Sequence, residues 1–160
     1  MPEFVHLRVH TEYSLVDSVV RVPALMQAVA AAGMPAVALT DEGNLFAMVK
    51  FYREALGRGI KPLVGVDAWL REPGERAEPS RLTLLAKDLA GFRNLTRLVS
   101  RAWLEGQHRG VPLLEREWLA GAASGGLIAL SGAREGDVGR APLAGREEGG
   151  ARREPRVRAG

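Results

Sequence analysis

Three alternating residues near the start of the chain raise the question of a metal site if the backbone is extended. His6, Arg8 and His10 alternate in the stretch HLRVH, and residues two apart on a β-strand project from the same face. Two imidazoles on one face indicate a metal site. Arg8 argues against it, because a permanently charged guanidinium repels a cation and cannot ligate one. A working site, a dismantled site and a plain strand therefore all remain open.

Carboxylates follow the next apolar segments of the chain. Asp41 and Glu42 come directly after the apolar run at 35–40, and Asp67 lies within the next predicted strand. Functional groups of α/β proteins gather where strands end and loops begin. We therefore expect these carboxylates to approach His10 at one end of a sheet.

Several of these polar residues also have structural interpretations. Asp41 is placed to cap the helix that follows it, and Asn44 is the expected N-cap of that helix. Thr11 and Ser14 are typical of turns and caps. His6 is equally typical of a structural side chain.

These side chains must be positioned by alternating strands and helices. Short links between strand and helix predict parallel strands with right-handed crossovers, in an open α/β sheet or a (β/α) barrel. The predicted strands are 4–9, 35–40, 61–70, 81–86 and 126–132, and the predicted helices are 22–32, 45–59, 88–105 and a short one at 113–119.

Composition narrows the class of protein. The 160 residues amount to about one domain, and the absence of cysteine excludes disulfides and thiolate metal sites. The net charge is +3, and two of these charges fall in residues 141–160, so the body shows no concentrated basic patch for nucleic acid. The apolar runs are too short for a membrane span. We expect a cytoplasmic protein without membrane contact.

Four ordered blocks resemble a known family. They are HLRVHTEYSLVDS, GMPAVALTDEGNLFAMVKFYREALGRGIKPLVGVDAWL, RLTLLAKDLAGFRNLTRLVSRAWLEGQ and GLIALSGAREGDVGR. Together they resemble the PHP (polymerase and histidinol phosphatase) domain at the N-terminus of bacterial DNA polymerase III alpha subunits, in its proteobacterial type. The resemblance covers about residues 3–140.

The resemblance implies an α/β fold. The fold would be a partial (β/α)7 PHP barrel, which is a distorted barrel of the TIM-like type. The chain would supply its first half to two thirds. Residues 1–140 are the expected partial PHP domain. Residues 141–160, rich in Gly, Arg and Glu, are expected to be a disordered tail, as in a truncated or frame-shifted chain.

The resemblance also implies a degenerate metal site. The family's His-x-His ligand pair falls on positions 8 and 10, so that Arg8 replaces the first ligand and His10 remains. The family pattern Thr-Asp-His-Gly-Asn falls on 40–44, so that Asp41 remains and Glu42 replaces a histidine. A metal-binding glutamate falls on Asp67.

Arg8 is the obstacle to a metal among these ligands. A unit charge 4 Å from a divalent ion costs several kcal/mol, on the order of 8 kcal/mol at an effective dielectric constant of 20. We therefore expect His10, Asp41, Glu42 and Asp67 to hold no metal. Our hypothesis is that Arg8 substitutes for the lost charge by pairing with Asp41, Glu42 or Asp67.

The parent implied by the resemblance is a DNA-directed DNA polymerase, a nucleotidyltransferase of DNA replication that uses Mg²⁺. This portion is expected to be a non-catalytic scaffold and docking site without its own cofactor. Its implied partners are the thumb and palm of the alpha subunit, the proofreading exonuclease subunit and, through the holoenzyme, DNA. The alternative is a metal-dependent phosphoesterase of the 3′–5′ exonuclease, pyrophosphatase or histidinol-phosphatase type.

Overall fold

A computed structural model describes residues 4–73 and 78–136, in two compact units, Met1–Val66 and Asp67–Gly160. The predicted tail at 141–160 lies outside the described residues. The described residues form three α-helices and six strands: α1 Val22–Ala31, β1 Ala36–Leu39, α2 Met48–Leu56, β2 Lys61–Leu70, β3 Ser80–Ala86, α3 Leu89–Leu104, β4 Gln107–His108, β5 Val111–Leu114 and β6 Leu127–Ser131. The α/β class predicted from the alternation is confirmed.

The first unit is built on a parallel strand pair, of which β1 is buried. All four residues of β1 are buried, and the strand pairs in parallel with the start of β2, from Ala36 opposite Lys61 to Leu39 opposite Val64. Burial of both faces accounts for the uninterrupted apolar run in the sequence. Helices α1 and α2 and the residues that flank α2 supply the rest of the core. The core comprises Val22, Met26, Val29, Val37, Leu39, Ala47, Phe51, Ala55 and Ile60.

The prediction of a continuous strand at 4–9 is wrong. His6 forms a single parallel bridge with Val37, Leu7 lies at a bend, and Thr40 N–H donates to the Val9 carbonyl at 2.9 Å. Val9 N–H donates instead to the hydroxyl of Thr40 at 2.8 Å. A side chain that satisfies a backbone donor competes with the strand ladder, and the ladder is interrupted here.

The second unit contains a mixed sheet with the strand order β4-β5-β2-β3-β6. The end of β2 is parallel to β5, but β3 and β6 are antiparallel, so the expectation of an all-parallel sheet is wrong. Lys87 N–H, just after β3, donates to the carbonyl of Gly126, just before β6, at 2.9 Å and continues the pairing of these two strands. The unpredicted pair β4 and β5 also breaks the simple strand–helix alternation.

Two further local predictions are wrong. The segment at 113–119 is the end of β5 followed by a 3₁₀ turn, Arg116–Leu119, because Leu113 and Leu114 are buried in the sheet. Helix α2 begins at Met48 and has no side-chain cap. Asn44 instead accepts from Phe46 N–H at 3.0 Å, in a turn that precedes the helix. Within the described residues, no helix combines the length and apolar character needed to cross a bilayer.

Candidate functional site in the first unit

Asp41 is the buried centre of the site in the first unit. It follows β1 and has no exposed surface. Its Oδ1 accepts from Thr11 N–H at 2.6 Å and from the Ser14 hydroxyl at 2.7 Å, and the Thr11 hydroxyl lies 2.8 Å from Oδ2. Hydrogen bonds to an ionised acceptor are among the stronger ones in proteins. Asp41 therefore fastens the segment after His10 to the end of β1 and does not cap α2.

Ser14 extends this network to the next residue of the loop. Its hydroxyl donates to Asp41 and accepts the backbone N–H of Glu42 at 3.0 Å. The serine side chain is 7% exposed, so bulk water does not compete strongly for these bonds. The backbone of Glu42 is thereby fixed at the edge of the site, with its side chain half-buried.

His10, Asp17 and Glu42 form a group of metal-binding type. One ligand atom from each residue lies within 4.8 Å of the others. Nδ1 of His10 contacts Oδ2 of Asp17 in an ion pair or hydrogen bond, and the side chains are 11% and 45% exposed. The structure thus brings two of the predicted residues, His10 and Glu42, together beside buried Asp41.

The donor set of this group fits a divalent cation. An imidazole nitrogen and two carboxylate oxygens suit Mn²⁺, Zn²⁺ or Mg²⁺. The expectation that the chain holds no metal stays untested.

Sequence reasoning missed Asp17. The available signal is an acidic residue seven positions after His10, a spacing that neither a strand nor a helix places beside the imidazole. The chain reverses in the 3₁₀ segment Glu12–Asp17, where Leu15 adopts a left-handed φ of 56°. Thr11 begins this segment by accepting from Tyr13 N–H, which confirms its predicted role in a turn or cap.

Asp67 belongs to the second unit and has its own cationic partner there. Its side chain is fully buried, and Arg81 donates to Oδ2 at 2.8 Å while the Thr83 hydroxyl donates to Oδ1 at 2.8 Å. Asp67 is thus paired with a guanidinium inside its own unit, and its predicted place among the metal-site residues stays a prediction.

The predicted role of Arg8 stays a prediction. Its side chain is exposed, in the segment that leads to His10. His6 is exposed as well, and its ring packs edge-on against Phe4 with 4.7 Å between ring centres. This contact favours the structural interpretation of His6.

Comparisons with known proteins agree with one another. The family model described as the PHP domain matches residues 6–157. DNA polymerase III subunit alpha of Pseudomonas aeruginosa is 56% identical over 144 residues, and that of Escherichia coli K12 is 46% identical over 144 residues. Both alignments cover 90% of this chain but 12% of the relative. The chain thus spans about one eighth of the length of the curated relatives it matches.

A solved structure shares the fold. A protein of Bifidobacterium adolescentis, named as a metal-dependent phosphoesterase, aligns over 64% of this chain and 34% of its own, with a TM-score of 0.50 and 14% identity. At this identity the likeness concerns the fold alone.

Proposed function

The chain belongs to the PHP domain family, and we propose that it is the N-terminal PHP portion of a replicative DNA polymerase III alpha subunit. The observation that carries this proposal is the similarity to alpha subunits along nine tenths of the chain. The family match and the shared fold confirm the predicted fold class, part of a TIM-like α/β barrel. In this proposal DNA-directed DNA polymerisation, with its Mg²⁺, takes place elsewhere in the alpha subunit.

The role proposed for this portion is that of a scaffold and docking site. Support comes from the outer side of α2, where Val49, Tyr52 and Leu56 are 62%, 45% and 55% exposed and Phe46 just before the helix is 69% exposed. Residues spaced by three and four lie on one side of a helix. Contiguous exposed apolar side chains on a soluble protein mark interaction sites.

Basic side chains border this apolar stripe. Lys50, Arg53 and Arg58 line an open groove together with Phe46 and Val49, and the one acidic residue of this lining, Glu54, pairs with Arg58 at 3.4 Å. We assign the groove to an acidic, partly apolar segment of the proofreading exonuclease subunit, because opposite charge at the rim steers and orients such a partner. The thumb and palm of the alpha subunit, and DNA through the holoenzyme, are further partners in this cytoplasmic assembly.

Binding of the purified exonuclease subunit to the chain tests the docking role. We expect saturable binding by biolayer interferometry that Val49→Asp weakens at least tenfold. Leu104→Asp, at an 84% exposed position of α3, is the matched control and should bind within twofold of the unchanged chain. A correctly folded chain that does not bind the subunit contradicts the proposal.

The second candidate function is a metal-dependent phosphoesterase, favoured by the group His10, Asp17 and Glu42. A divalent ion held by these residues would act as a Lewis acid on a phosphate ester and on bound water. Asp41 would keep the loop in place through Thr11 and Ser14.

Turnover measurements separate the two functions. With Mn²⁺ or Zn²⁺, we expect no hydrolysis of single-stranded DNA, pyrophosphate or histidinol phosphate above the enzyme-free rate. Hydrolysis that is lost in His10→Ala and Asp41→Ala but kept in His6→Ala would overturn the scaffold proposal in favour of the enzyme.

A further inference from the structure

A buried ion pair in the second unit joins two adjacent strands of the sheet. Asp67 on β2 is fully buried, and Arg81 on β3 is 7% exposed, with 2.8 Å between Nη1 and Oδ2. Both carboxylate oxygens of Asp67 are engaged, since the Thr83 hydroxyl donates to Oδ1 at 2.8 Å. A buried carboxylate is costly unless it is paired and hydrogen-bonded in this way.

The guanidinium is held from two further sides. It lies over the ring of Trp69, with 4.0 Å between Cζ and the ring centre. Its Nε lies 2.9 Å from Oε2 of the half-exposed Glu135, in an ion pair without hydrogen-bond geometry. A planar, always charged guanidinium can stack on an aromatic face and pair with two carboxylates at once. Arg81 is therefore a fixed cation between Asp67 and Glu135.

We propose that Arg81 is a built-in counter-cation that occupies the cation position beside Asp67 and closes this carboxylate to metal ions. This inference deepens the proposed function. It rests on the proposed function because it takes Asp67 to be one of the positions of the family's degenerate metal site. It gives Arg81 a charge-substituting role at Asp67 of the kind that the sequence predicted for Arg8.

Removal of the guanidinium should convert the pair into a cation site. Without Arg81, the carboxylates of Asp67 and Glu135 would border the vacated space, and hard divalent ions prefer oxygen ligands of this kind. A divalent ion that binds only to the folded state, and not to the unfolded chain, raises the melting temperature. We therefore expect a divalent ion to raise the melting temperature only when the guanidinium of Arg81 has been removed.

The experiment uses the whole chain with His10→Ala as background, so that the group in the first unit does not contribute. In EDTA, Arg81→Met should melt roughly 10 °C below the background chain, because it leaves a buried charge unpaired. Adding 1 mM Mn²⁺ should restore at least half of this loss. The background chain itself should shift by less than 1 °C.

Two further variants make the test specific. Arg81→Lys keeps a cation and should not respond to Mn²⁺, and Asp67→Asn with Arg81→Met removes both charges and should not respond either. If Arg81→Met does not fold in EDTA, refolding followed by circular dichroism should occur with Mn²⁺ and fail without it. Mn²⁺ responses that are equal in Arg81→Met and in the double variant would overturn the proposal, as would an Arg81→Met chain as stable as its background.

These readouts need no partner protein. Loss of exonuclease binding with an intact Mn²⁺ response would refute the docking role alone. An absent Mn²⁺ response with intact binding would refute the role of Arg81 alone.

Discussion

The hydroxyl of Ser14 lies 2.7 Å from Oδ1 of Asp41, a carboxylate with no exposed surface. The same hydroxyl accepts the backbone N–H of Glu42 at 3.0 Å. One small side chain therefore joins the loop after His10 to the loop after β1. These two loops carry residues of the candidate metal group.

Ser14→Ala should lower the free energy of unfolding by about 1–3 kcal/mol, because it removes a donor to a buried charge and an acceptor for a backbone N–H. Urea denaturation followed by circular dichroism measures the loss. Ser100→Ala, at an exposed position of α3, should change stability by less than about 0.5 kcal/mol. Equal effects of the two substitutions would refute the role given to Ser14.

Leu15→Gly should raise the free energy of unfolding by about 0.5–1 kcal/mol. Leu15 has a φ of 56° and is 77% exposed, so glycine relieves backbone strain and gives up little buried apolar surface. The control is Leu104→Gly in the last turn of α3, 84% exposed, which should be destabilising by about 0.5–1 kcal/mol. A loss of stability in Leu15→Gly would show that the left-handed residue is not strained.

Titration with Mn²⁺ tests the expectation that the chain holds no metal, and the group His10, Asp17 and Glu42 supports the opposite prediction, weak Mn²⁺ binding in the first unit. A partly exposed site with three protein ligands is expected to have a Kd on the order of 0.1–1 mM, like other weak sites with few charged ligands. Isothermal titration should show at least a tenfold loss of affinity in His10→Ala and in Asp17→Asn. His6→Ala changes the neighbouring exposed histidine and should leave the affinity unchanged, and a similar loss there would place the ion elsewhere.

Gly91→Ala should lower the free energy of unfolding by about 1–3 kcal/mol, or more, by overpacking. A Cβ at Gly91 would lie 1.8 Å from the carbonyl oxygen of Gly126, so the start of α3 would have to move away from the segment before β6. Gly57→Ala is the control, since its Cβ would lie 3.4 Å from the nearest atom. Thermal unfolding of both variants checks the difference, and an unchanged melting temperature in Gly91→Ala would contradict the contact.

The sequence by itself determined the presence of α1, α2 and α3, most of the strands and the family, but its fourth predicted helix, at 113–119, was wrong. The spacing of apolar residues predicted the ends of α1, α3, β2 and β3 to within one residue. These ends depend on local features, namely the period at which buried residues recur and capping residues such as Asp88. The four family blocks likewise fixed the identity of His10, Asp41, Glu42 and Asp67 as candidate site residues.

Tertiary structure alone decided how these residues are paired. Asp17 meets His10 because a left-handed residue reverses the chain between them, and Asp67 meets Arg81 because β2 and β3 are neighbours in the sheet. The same holds for the antiparallel pairing of β3 with β6. Residue type and period describe one segment at a time, whereas charge pairing and strand direction depend on which distant segments share a buried space.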